Sequence, residues 1–192
     1  MKALFLTLFI IDAALHLAAC LPLPRQRHTL RCVTKVLLIP LLAGCYWFFA
    51  AAPSRVILFA LACGWLGDVL LIFSGKTAFF AAGLAAFAAG HILYIVYFLG
   101  HLGVRPSLLL CAIAVLVYTG LIVLSIYMQA QYFPPVLAVP CCGYAALISL
   151  MSLSALLFAA SNAGAAPVFV CIGSVLFMLS DSVLSFVTFR KS

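Results

Sequence analysis

Val56-Ile57-Leu58-Phe59-Ala60-Leu61-Ala62-Cys63-Gly64-Trp65-Leu66-Gly67-Asp68-Val69-Leu70-Leu71-Ile72-Phe73 decides the fold. At about 1.5 Å of rise per residue this run makes a helix about 27 Å long, close to the hydrocarbon thickness of a bilayer. Arg55 and Lys76 flank it, and its sole charge is Asp68. Similar runs recur at about 3–21, 33–51, 77–101, 107–128, 135–159 and 165–189, divided by Pro, Gly or charged residues. The chain is 68% hydrophobic and 7% charged. No soluble domain of this length hides so much apolar surface, so the solvent is lipid. The expectation is an all-α, polytopic bundle of about seven spanning helices, with residues 1–192 forming a single integral membrane domain.

The breaks are legible. Pro22 and Pro24 with Arg25, Gln26, Arg27 and His28 end the first run, and Pro53-Ser54-Arg55 the second. Ser74-Gly75-Lys76, Arg105-Pro106 and Gln129 to Pro135 end the next three, while the uncharged Ser161-Asn162-Ala163-Gly164 divides the last two. Seven cations (Arg25, Arg27, Arg31, Lys35, Lys76, Arg190, Lys191) fall on one side and three (Lys2, Arg55, Arg105) on the other. The richer side is expected to be cytoplasmic, with the N-terminus outside. A lipoprotein-type signal ending at Cys20 is a rival reading of the first run, but Asp12 and His16 interrupt what is normally an unbroken apolar core.

Other function classes find little footing. The formal charge of +7 sits in short connections and forms no basic face interleaved with aromatics, so nucleic acid is not an expected partner. The eight Cys form no CxxC, and no His or Asp spacing matches a metal site, so neither zinc nor a disulfide framework is expected. No Ser stands in a G-x-S-x-G elbow. Small residues (Gly64 and Gly67; Ala82 and Ala86; Gly83 and Gly90) mark faces where helix backbones approach closely.

The chain has three carboxylates, Asp12, Asp68 and Asp181, all inside apolar runs. An acid in lipid costs several kcal/mol or more and by default marks a site. Asp12 has His16 one turn on, an i, i+4 pair expected to satisfy itself. Asp68 lies about 7–8 Å from the cytoplasmic end of its helix and Asp181 about 12 Å, on helices running in the same direction. Ser180, Ser182 and Ser185 supply hydroxyls around Asp181. Two acids sharing one site cannot both ionise easily, so such a pair would hold one proton and supply both an acid and a base. His91, Tyr94 and Tyr97 make a polar stripe on the fourth run, and Lys35 is read as opening the second at the lipid boundary, to snorkel or meet a lipid phosphate.

Four elements in order resemble the YhhN-type lysoplasmalogenase family. Thr34-Lys35 before Leu37-Leu38-Ile39-Pro40 is similar to its T-K-P-L-L element, with Val36 where the family usually has Pro. Leu66-Gly67-Asp68-Val69-Leu70-Leu71 resembles its G-D-V-L-L element. Phe79, Gly83-Leu84, Phe87, Gly90-His91 and Tyr94 follow its F-x-x-x-G-L-x-x-F-x-x-G-H-x-x-Y pattern, and Leu176 to Leu184 its L-F-x-x-S-D-S-x-L ending. The resemblance covers about 15–189. Family members continue into one more hydrophobic helix, whereas this sequence ends at Ser192.

The resemblance implies a membrane-embedded ether hydrolase, in a bacterial cell membrane or the endoplasmic reticulum, that splits the vinyl ether of lysoplasmalogens. It implies Asp68 and Asp181 as catalytic residues, with Lys35, His91 and Tyr94 toward a lysophospholipid substrate and surrounding membrane lipid. A vinyl ether is protonated on carbon and the resulting oxocarbenium ion takes up water, which needs a proton donor and a second carboxylate but no metal or organic cofactor. The competing expectations are a proton- or cation-coupled transporter, for which no internal repeat is visible, and a noncatalytic membrane scaffold.

Overall fold

The computed structural model describes residues 1–20, 28–73, 75–129, 132–133 and 135–190. Among them are seven α-helices and no strand: α1 Lys2–Cys20, α2 His28–Phe49, α3 Arg55–Ile72, α4 Thr77–Gly100, α5 Leu108–Gln129, α6 Pro135–Ser161 and α7 Ala165–Arg190. All seven are long and apolar enough to cross a membrane. This is an integral multi-pass membrane protein. Its helices present Leu, Ile, Val and Phe outward, as a lipid solvent requires.

One boundary moved. The second span is expected from about 33, but α2 starts at His28. The polar turn from His28 to Arg31 is helical because a helix satisfies its own backbone polar groups on the way into lipid, whatever its side chains carry. Lys35 is therefore about two turns inside α2 instead of opening it.

The chain divides into two compact units, Met1–Gly90 and His91–Ser192, with α4 running unbroken through the division. In the first unit α1 lies along α2, where Phe5 and Phe48 meet at 5.1 Å between ring centroids. The Trp65 indole N–H donates to the Val36 carbonyl at 2.9 Å, pinning α3 to α2. Between α3 and α4 the small residues act as their spacing suggests. A methyl at Gly90 would stand 3.0 Å from the Ala60 carbonyl oxygen, and one at Gly83 would stand 3.3 Å from that of Gly67. The backbones touch because no side chain intervenes.

The second unit is built on α6, whose buried positions include Ile148, Ser149, Met151, Ser152, Ser154 and Ala155. Phe98, Tyr118, Ile148, Met151, Ala155 and Met178 form its core. The Tyr118 hydroxyl meets Ser152 Oγ at 2.8 Å, and Ser152 Oγ meets Ser174 Oγ at 3.1 Å, a hydroxyl chain joining α5, α6 and α7. The uncharged break between α6 and α7 is made by capping. The Asn162 amide donates to the Phe158 and His101 carbonyls, and Gly164 takes a φ of +113° that a side chain would resist.

Candidate functional site

Each unit carries a polar cluster on its own helices. In the first, Lys35 Nζ of α2 stands 2.9 Å from Asp68 Oδ1 of α3. The Asp68 side chain is 15% exposed and that of Lys35 37%, so the carboxylate is the more enclosed partner. In lipid a charge of this kind persists when paired. Gly67, itself buried, packs under the Phe87 ring, which fills the place a side chain would take.

Thr34, next to Lys35, joins α2 to α1. Its hydroxyl donates to the Leu30 carbonyl at 2.9 Å and is met by His16 Nδ1 at 2.9 Å. The hydroxyl proton is committed to the backbone, so His16 donates from Nδ1, leaving Nε2 to accept from the Cys20 thiol at 3.6 Å. Thr34 thus links α2 to α1 and Lys35 links it to α3. The expected Asp12–His16 pair is a correction. Among the described residues no ion pair joins them, both His16 nitrogens are otherwise engaged, and buried Asp12 Oδ2 has no hydrogen-bond partner. The imidazole bridges Thr34 of α2 and Cys20 of its own helix.

The second cluster centres on Asp181 of α7. Its Oδ2 accepts from the Tyr144 hydroxyl of α6 at 2.5 Å, and the same hydroxyl lies 3.1 Å from His91 Nε2. The His91 ring is 4% exposed and stands edge-on to Phe177, with centroids 5.4 Å apart. His91 Nδ1 is buried with no hydrogen-bond partner among the described residues. Tyr94, half-buried one turn further along α4, stacks on Phe98 at 6.0 Å.

Sequence reasoning looked for donors to Asp181 among its serine neighbours. Ser182 instead donates to the Met178 carbonyl of its own helix at 2.9 Å, as serines in lipid-spanning helices do. The donor reaching Asp181 is Tyr144, the only phenol on α6. The signal was a phenol beside Gly143 on a membrane-spanning helix.

The YhhN family matches residues 30–192, which include Thr34, Lys35, Asp68, His91, Tyr144 and Asp181. The chain is 31% identical over 191 residues to the human protein named lysoplasmalogenase TMEM86B, covering 97% of this chain and 75% of that one. It is 31% identical over 155 residues to the rat lysoplasmalogenase TMEM86B, covering 78% of this chain and 58% of the relative. No solved structure matches.

Proposed function

The chain belongs to the YhhN family, and from that membership we propose that it is a membrane-embedded lysoplasmalogenase. It hydrolyses the vinyl ether of a lysoplasmalogen to a fatty aldehyde and glycerophosphoethanolamine or glycerophosphocholine. What supports an acid–base route is that the two motif aspartates have different partners, a cation at Asp68 and a phenol at Asp181.

The roles follow from those partners. Asp68, ion-paired with Lys35 at 2.9 Å, offsets the oxocarbenium charge and takes a proton from the attacking water. Asp181, whose Oδ2 accepts from the Tyr144 phenol, is the acid that protonates the vinyl carbon. Water adds to the cation, and the hemiacetal collapses to aldehyde and alcohol. Lys35 has three N–H donors, so beyond Asp68 it has capacity for the head-group phosphate. Tyr94 and His91, whose buried Nδ1 has no hydrogen-bond partner among the described residues, are the proposed contacts to glycerol oxygens or the reacting water.

The test is aldehyde release by the purified protein from a lysoplasmalogen in detergent micelles. Wild type should turn over, and Asp68→Asn and Asp181→Asn should not. Unimpaired release by both variants would discard the two acids as catalysts. Proton flux across vesicles without lipid cleavage would replace the hydrolase by a transporter.

A further inference from the structure

Pro40 stands inside α2, and a proline has no N–H to return to the carbonyl four residues back. That carbonyl belongs to Val36, so the helical ladder of α2 leaves it open. The Trp65 indole N–H of α3 takes it, at 2.9 Å. In a membrane, carbonyls freed by proline are satisfied in this way by neighbouring helices. Asp68 lies one turn further along α3, and Lys35 one residue back along α2, with its Nζ 2.9 Å from Asp68 Oδ1. Gly64, just before Trp65, faces Ile39, whose Cδ1 would lie 3.8 Å from a methyl placed there. The contacts of Ile39 with Gly64, Val36 with Trp65 and Lys35 with Asp68 therefore step down α2 as they step up α3. The ion pair and the indole bond share one antiparallel register. Only the indole bond ties a short, rigid side chain to a backbone atom, and a hydrogen bond of that kind is directional.

We propose that Trp65 is a positioning residue for Asp68, and that Pro40 opens the acceptor through which it acts. This rests on the reading of Asp68 as the base of the reaction. Lys35 is a point charge on a flexible four-carbon stem, so it follows the carboxylate wherever α3 carries it. The ion pair alone does not set the depth of Asp68. An indole fixed to a backbone carbonyl does, because sliding α3 by one residue moves it about 1.5 Å and breaks the bond. A displacement of about 1 Å is enough to slow a reaction about 100-fold. Trp65 acts on the carboxylate through the register of α3 on α2.

A bond that merely holds two helices together would also matter to stability, so the experiment separates holding from placing. Trp65→Phe keeps an aromatic ring and removes the donor, leaving the Val36 carbonyl unpaired. Pro40→Ala returns an N–H to that carbonyl. Tm and kcat for aldehyde release are measured in detergent for both single variants and for the two together. Trp65→Phe is expected to lower Tm and to reduce kcat about 10-fold. Adding Pro40→Ala should recover most of the Tm, because the carbonyl regains a partner, while kcat stays low, because α3 regains no anchor. Pro40→Ala alone should keep turnover near wild type, since a carbonyl with two lone pairs accepts from both donors. Recovery of kcat together with Tm in the double variant would make the bond structural only and overturn the proposal. So would wild-type kcat in Trp65→Phe, or a loss in Pro40→Ala alone as large as in the double variant. Coupling in Tm between Trp65→Phe and Asp68→Asn reads the placement without turnover. A displaced Asp68 has less ion pair to lose, so the combined loss should be smaller than the sum of the two, and additive losses overturn the proposal. Should Trp65→Phe alone fail to fold, the same comparisons are made on the Pro40→Ala background. Absence of aldehyde from the wild type would instead remove the hydrolase reading, and the Tm coupling would still decide the role of Trp65.

Discussion

Asp68 and Asp181 carry the same functional group in the same solvent, yet their surroundings differ in kind. Asp68 shares its place with a lysine that is itself partly exposed, on helices pinned by an indole-to-carbonyl bond. Asp181 is held by a phenol backed by a buried imidazole, with an aromatic ring against the far side. One acid meets a cation on a neighbouring helix, the other a hydroxyl that also meets an imidazole. The contrast teaches that the same acid can be given different partners by the helix beside it, and the proposed reaction uses that difference to divide the roles of acid and base.

The largest effects should come from the acids, and they should differ in character. Both Asp→Asn variants are expected to lose about 10²–10⁴-fold in aldehyde release, the usual worth of a general acid or base. Asp68→Asn should also lower thermal stability, because Lys35 is left without its counter-charge. Asp181→Asn should not, since the new amide oxygen still accepts from Tyr144. Thermal unfolding followed by fluorescence in detergent tells the two apart, and equal destabilisation would erase the contrast.

Lys35 gives the next effect. Lys35→Met should lower Tm by about 5 °C through an uncompensated carboxylate. Lys35→Arg should recover most of it, and Lys35→Met with Asp68→Asn should recover stability without activity. Stability unaltered in Lys35→Met would mean the ion pair is incidental.

Gly90→Leu probes the backbone contact on which Asp68 depends for placement. Its branched side chain would force α4 off the Ala60 carbonyl, costing about 1–3 kcal/mol. The expected result is lower Tm with activity falling in step. The smallest effect is expected from Tyr118→Phe. It removes one hydroxyl contact to Ser152 outside either cluster, worth about 0.6 kcal/mol in a membrane helix. Turnover should stay at wild-type level. A large activity loss there would show that polar contacts in this unit are not separable into site and scaffold.

Much of this was readable before any coordinates. The seven spans follow from apolar length and the glycine contacts of α3 with α4 from small-residue spacing, while the cost of charge in lipid singled out Asp12, Asp68 and Asp181 without separating them. What escaped were partnerships between helices. Lys35 looked like a snorkelling boundary residue because α2 was started too late, and its ion pair depends on which helix lies beside it. Tyr144 was passed over because the donors to Asp181 were sought on its own helix. His16 was assigned to Asp12 because i, i+4 geometry is visible in sequence, while the reach to Thr34 is not. Periodicity shows which residues share a face, but not what that face meets.

The central claim is that the protein protonates a vinyl carbon and adds water to the cation. The most direct measurement is mass spectrometry of the aldehyde released from a lysoplasmalogen in D₂O. One deuterium at C-2 of the freshly formed aldehyde, appearing only with protein that retains both Asp68 and Asp181, is the result predicted. Aldehyde formed without deuterium at C-2, or formed equally well by the two asparagine variants, would contradict it.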